Sequence, residues 1–326
     1  MRFPESPRSL RIAAASAAVV TLLGLLPGCA ADAEQAPSSE DDLKGGVVAR
    51  EAVYGPVGAL GAPGDTSFNV SCTGTLVAPK LVLTAKHCVT SDPVGDAFDK
   101  LDAGVYFAPG LEASLKSPRY KVVSATAAKL AEGGFIEYGS DVALLQLESA
   151  PPGITPALVR AAHPAVQEVG KKLTVVGFGF DETDKNGIRK RGTVTLRATG
   201  GRAVGSVFAS RTALDTLIEK KEGDRSALSP DDDRSAQVAR YWDHQLLPTH
   251  EAFVGLATGD AQPCRSDSGA PVLVLENGRP VVVAVISGSL KLSRSPCGSY
   301  GSFVGTFGAS AQALFAAKGV TPTAAK

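Results

Sequence analysis

The 326-residue chain has one tryptophan, one methionine, four histidines and five cysteines, and aromatic residues make up 6% of it. The cysteines form no C-x-x-C pair, which argues against a zinc site. The 33 basic residues balance 33 acidic ones without a basic stripe, so nucleic acid is not an expected partner. The short clusters Lys171-Lys172 and Arg189-Lys190-Arg191 read as solvated turns. The acids Asp231-Asp232-Asp233 lack the spacing of a known calcium loop, and no metal or other cofactor is expected. No internal repeat and no long amphipathic array runs through the chain.

What is present is an all-β pattern. Strand-like runs at Val57 to Leu60, Leu81 to Thr84, Lys121 to Ser124, Val142 to Leu147, Leu173 to Val176, Thr193 to Leu196, Pro271 to Leu275 and Val281 to Ile286 are separated by turns rich in Gly and Pro. Roughly 280 residues follow a polar N-terminal stretch, enough for one large β domain or two small barrels. Between about Ser210 and Pro248 lies a polar segment whose amphipathic stretch, Ala213 to Lys220, predicts an exposed insertion carrying one short helix.

Three segments carry chemistry. Cys264-Arg265-Ser266-Asp267-Ser268-Gly269-Ala270-Pro271 sets a hydroxyl beside glycine in a tight turn, which suits a nucleophile flanked by converging backbone N–H groups. Far upstream, Cys72-Thr73-Gly74-Thr75-Leu76-Val77 and Val82-Leu83-Thr84-Ala85-Lys86-His87-Cys88 end in a histidine placed to act as general base. His163, His244 and His250 lack such a setting. In Ser140-Asp141-Val142-Ala143-Leu144-Leu145-Gln146-Leu147, an acid opens an apolar run, where a half-buried carboxylate can orient the imidazole.

With these residues and their order His, Asp, Ser, the chain resembles the chymotrypsin/trypsin family of serine peptidases from about Leu43 to about Phe315. Thr84-Ala85-Lys86-His87-Cys88, Asp141-Val142-Ala143-Leu144-Leu145 and Asp267-Ser268-Gly269-Ala270-Pro271 are similar to the family's three catalytic motifs, and Val176-Gly177-Phe178-Gly179 to its Gly-Trp-Gly segment. The resemblance implies two packed antiparallel six-stranded β-barrels with a C-terminal helix and a polar insertion, the barrels spanning about 43–155 and 165–318 and the insertion about 210–248. It implies serine endopeptidase activity on a protein or peptide substrate through His87, Asp141 and Ser268, with the N–H groups of Ser266 and Ser268 as oxyanion hole. It also implies the disulfides Cys72 with Cys88 and Cys264 with Cys297, and places Gln262, Ser287, Gly288, Ser289 and Gly301 around the substrate pocket. Trypsins carry an acid where Gln262 stands, six residues before the nucleophile, so cleavage after an uncharged residue is expected.

Several positions depart from the family. It has glycine where Ser266 and Ala270 stand, and tryptophan where Gly288 stands. A side chain at Ser266 opposes the backbone orientation that aims its N–H into the hole, at a cost of about 1 to 3 kcal/mol where φ is positive. Leu43-Lys44-Gly45-Gly46 resembles the family's Ile-Val-Gly-Gly start, whose freed amine pairs with the acid before the serine, here Asp267; no basic residue precedes that bond. These departures define an alternative, a pseudopeptidase retained as a surface binding module.

The N-terminus reads as an export signal. Arg2, Arg8 and Arg11 precede an apolar run from about Ile12 to Leu26, too short for an unambiguous membrane span, which closes on Pro27-Gly28-Cys29-Ala30. Leu26-Pro27-Gly28-Cys29 resembles a bacterial lipobox, with Cys29 the lipidated residue and 1–28 the signal; plain secretion is the other reading. Residues 29–42, rich in Ala, Ser, Pro and acid, form a tether or a propeptide. Either route delivers the chain outside the cytoplasm, where disulfides persist.

Overall fold

The computed structural model describes residues 43, 45–90, 104–130, 140–181, 183–222, 234–290, 297 and 300–324. Cys29, the 29–42 stretch, Lys44 and Asp231-Asp232-Asp233 lie outside the described residues. Among the described residues no helix is long and apolar enough to cross a membrane.

A short strand, β1 (Val47–Val48), precedes a closed barrel of β2 (Val57–Pro63), β3 (Phe68–Ala78), β4 (Leu81–Thr84), β5 (Tyr106–Pro109), β6 (Tyr120–Ala127) and β7 (Ala143–Leu147). The strands close in the order β2-β3-β4-β7-β6-β5, all pairs antiparallel. Alternation shows in the first half of β3, where Phe68, Val70 and Cys72 are buried while Asn69 and Ser71 are exposed. The interior is filled by Leu60, Leu76, Val82, Phe107, Val122, Leu145 and Leu147. Burying each such side chain contributes about 1.5 to 3 kcal/mol before the entropy of ordering is counted.

After β8 (Leu158–Val159), the second barrel uses β9 (Lys172–Gly177) and β10 (Lys190–Ala198). An excursion follows from β11 (Gly201–Arg202) through α1 (Arg211–Glu222) and α2 (Arg234–Asp243) to β12 (Gln245–Leu246). The barrel then continues with β13 (Glu251–Val254), β14 (Pro271–Glu276), β15 (Arg279–Ser289) and β16 (Ser302–Thr306), and α3 (Ala309–Ala317) ends the fold. The order β10-β13-β16-β15-β14-β9 is closed by β9 pairing back onto β10, again antiparallel. β1 adds to β10, and β8 lies parallel to β15. The chain therefore folds as the expected two six-stranded barrels. α3 and the Phe307 that precedes it help join them: Phe307, Leu314 and Phe315 share a buried cluster with Leu83, Val142 and Leu144 of the first barrel and Val282 and Val285 of the second.

The insertion differs from its expected form. Its described residues hold two helices rather than one, and they are anchored: Leu214 and Ile218 of α1 and Val238 and Tyr241 of α2 are buried against Phe253, Tyr300 and Phe303. Its neck is closed by the β11–β12 pair. The spacing Val238, Tyr241, Trp242 is a helical stripe that the sequence carries and that the expectation of one helix, at Ala213 to Lys220, left out.

Candidate active site

The turn Cys264 to Pro271 is held by its own backbone. The Asp267 N–H donates to Cys264 O at 3.1 Å, Ala270 N–H to Asp267 O at 2.9 Å, and Gly269 N–H to Ile286 O at 2.7 Å. Gly269 has a φ of +79°, and a side-chain carbon there would strike Thr84 Oγ1, Thr73 O and Ala85 N, so both conformation and space require glycine. Ser268 sits half-buried at the bend. Its carbonyl accepts the Thr73 N–H at 2.8 Å, which fastens this loop of the second barrel to β3 of the first.

His87 lies in a single helical turn, Lys86–Cys88, directly after β4. Its backbone N–H donates to Asp141 Oδ1 at 3.0 Å, and its Nδ1 is 2.7 Å from Asp141 Oδ2. Asp141 is 1% exposed, and Ser287 Oγ donates to the same Oδ2 at 2.5 Å. Burial by itself would raise this carboxyl, but the His87 charge, the bonds from its ring and backbone, and the Ser287 hydroxyl outweigh it and hold Asp141 below its ordinary value. An ionised carboxylate only accepts, so Nδ1 carries a proton, and in the neutral ring Nε2 is the acceptor. The imidazole is 23% exposed, on the open side of the pair.

Cys72 is bonded to Cys88 and Cys264 to Cys297. The first bridge lies between histidine and serine: Cys88 follows His87, and its Sγ is 3.6 Å from Ser268 O. Both its sulfurs lie within 4.8 Å of a His87 ring nitrogen, but their bond to each other leaves only one ligand for a metal. Among the described residues no hydrogen bond joins Ser268 Oγ to His87.

Ser266 has a φ of +73°, the conformation that glycine adopts freely. The side chain is nevertheless accommodated. It is buried, and its Oγ donates to Val70 O at 3.1 Å. The preceding peptide is fixed from its other side, since Arg265 O accepts the Phe180 N–H at 2.8 Å. A trans peptide holds its C=O and N–H antiparallel, so the Ser266 N–H points away from Phe180.

Of the pocket candidates, Ser287 is buried, while Gln262, Gly288 and Ser289 are half-buried. Gly301 is buried, with φ +84° and the Phe253 ring against it. Three residues near this site had not been singled out from sequence. Tyr241 of α2 donates its hydroxyl to Tyr300 O at 2.6 Å and Gly301 O at 2.9 Å. The exposed Arg265 stacks its guanidinium 4.1 Å from the Phe180 ring centroid. Thr73 bonds to three segments of the site. No local pattern marks any of them, because every partner is distant in the chain.

Asp267 is buried, with Oδ1 accepting the Gly179 N–H at 2.8 Å and Oδ2 the Cys264 N–H at 2.9 Å. Its carboxylate fills the space a side chain would need at Gly177 or Gly179, which accounts for both glycines of that segment. Leu43 is buried in the second-barrel core beside Val194, Ala270 and Val272.

Residues 58–225 match the family model described as Trypsin, a stretch that contains His87 and Asp141 and stops short of Ser268. The chain is also similar to Granzyme M of Homo sapiens, with 30% identity over 231 residues covering 68% of this chain and 70% of the relative.

Proposed function

Since this chain belongs to the trypsin family of serine endopeptidases, we propose that Ser268 is the nucleophile, His87 its general base and Asp141 the group that orients His87. The observation that carries the assignment is the doubly bonded His87–Asp141 pair, locked by Ser287, beside a serine whose loop is tied to the histidine's own barrel. Ser268 Oγ attacks the scissile carbonyl carbon and passes its proton to His87 Nε2. The Ser266 and Ser268 N–H groups meet the developing oxyanion. His87 returns the proton to the leaving amine, and water then hydrolyses the acyl-enzyme by the same base.

Gln262 offers a neutral amide rather than a carboxylate, which supports cleavage after an uncharged residue; Ser287, Gly288, Ser289 and Gly301 complete the proposed pocket. The pseudopeptidase alternative is not favoured, since the strained Ser266 is accommodated by its own hydrogen bond. Two disulfides suit an extracellular or exported protein. We further read 1–28 as a bacterial lipoprotein signal, Cys29 as the lipidated residue and the peptidase domain as beginning near Leu43. Mass analysis of the mature N-terminal peptide distinguishes a lipidated Cys29 from a new N-terminus at Leu43.

The test is labelling of the mature protein by a fluorophosphonate, lost in Ser268→Ala, followed by cleavage of a peptide library. Labelling and cuts after neutral residues are expected. An unlabelled wild-type protein would remove the assignment, and equal turnover of Arg and Leu substrates would remove the pocket reading.

A further inference from the structure

On the reading that Ser268 is the nucleophile and Ser266 an oxyanion-hole donor, we infer that Thr73 is a positioning residue. Its hydroxyl, together with that of Ser266, holds the Ser266 backbone in the left-handed conformation that the hole requires. The family has glycine at this position and needs no such support; this chain has a side chain at φ +73°. Residues with a Cβ avoid that region unless their surroundings hold them there.

The holding contacts are specific. Thr73 Oγ1 donates to Ser266 O at 3.1 Å and accepts the Phe178 N–H at 3.1 Å, so its single proton is directed at Ser266. The Thr73 N–H donates to Ser268 O at 2.8 Å, and Thr73 O accepts Thr84 Oγ1 at 2.8 Å. Thr73 is fully buried, and β3 also supplies the Val70 carbonyl that accepts Ser266 Oγ at 3.1 Å. With Arg265 O bound to the Phe180 N–H at 2.8 Å, the peptides on both sides of the Ser266 Cα are fixed, and so is the side chain. Rotation about φ would break one of these bonds in a dry interior, where an unsatisfied polar group is costly. One β-strand of the first barrel thereby preorganises a donor carried by the second, and the Ser266 N–H needs no reorganisation when charge develops on the substrate oxygen.

The test compares Thr73→Val, Thr73→Ser and Ser266→Ala in the full chain, with kcat and KM measured on the best peptide from the library and affinity measured for a peptidyl trifluoromethyl ketone, whose adduct carries the oxyanion. Thr73→Val and Ser266→Ala each lower kcat about tenfold, the effect of one buried hydrogen bond, with KM within about twofold. Ketone affinity falls in parallel with kcat/KM. Thr73→Ser, which restores the hydroxyl, recovers the rate, and Ser266→Gly placed in Thr73→Val recovers most of it because glycine holds a positive φ unaided. Thermal melting separates loss of fold from loss of positioning; if Thr73→Val unfolds, Ser266→Ala still decides. Wild-type kcat in Ser266→Ala, a loss confined to KM, or a Ser266→Gly double variant no faster than Thr73→Val would overturn the inference while leaving Ser268 as nucleophile. A wild-type protein that no fluorophosphonate labels would overturn both.

Discussion

Asp141 receives three donors on its two oxygens, the His87 N–H, the His87 Nδ1–H and the Ser287 hydroxyl. Its carboxyl is held below the ordinary 3.8 against the opposing pull of burial. The stability it contributes is therefore present above that value and is lost as pH falls through the lowered one. Ser287→Ala removes a bond to the charged form and raises the Asp141 pKa. The loss of stability in acid then begins at higher pH, as melting temperatures measured across the acid range will report; an unmoved onset would mean that Ser287 only packs. The residue types of the proposed triad were legible in their order. The Ser287 hydroxyl reaches Asp141 from 146 positions along the chain, a contact that no local pattern marks.

Among the elements, β4 occupies Leu81–Thr84 as the apolar run predicts, whereas β13 and β16 had not been anticipated. β13 opens with Glu251, whose charge masks a strand in the sequence. In the fold that carboxylate is buried and accepts the Leu247 N–H and His244 Nε2, both at 2.8 Å. The insertion shows the same limit. Its helix α2 places the Tyr241 hydroxyl against two carbonyls of the proposed pocket wall. Tyr241→Phe keeps the edge-on ring contacts with Phe253 and Phe303 but strips those carbonyls of a donor, at a cost of about 1 to 3 kcal/mol. Lower thermal stability and a blurred preference for the residue before the cut are expected. A melting curve and cleavage profile identical to wild type would show that the insertion does not brace the pocket.

At the scale of the whole molecule, acid acts through two histidines outside the proposed triad. Burial lowers His163 and His250 from their ordinary 6.5. The unfolded chain then binds protons that the folded one resists, so stability is lost as pH falls below about 6.5 and the loss is complete once the lowered values are passed. Calorimetry across that window should show a falling melting temperature, flattened when both are replaced by glutamine; an undiminished slope would put the acid sensitivity elsewhere. His163 bonds to Thr306 and Thr199, and His250 to Ser140, the neighbour of Asp141, so each ties together segments of the chain that lie far apart. By itself the sequence determined the strand-rich class, the order of histidine, acid and serine, and the chemistry those side chains can perform, because residue type, short-range periodicity and turn composition are local properties. Only the tertiary structure decided how Ser266 is tolerated at a positive φ, why Gly177 and Gly179 must lack side chains, and what the insertion helices touch. Each of these depends on a hydrogen bond or a close approach between groups tens to hundreds of residues apart, and closing the two barrels is what brings those groups within reach.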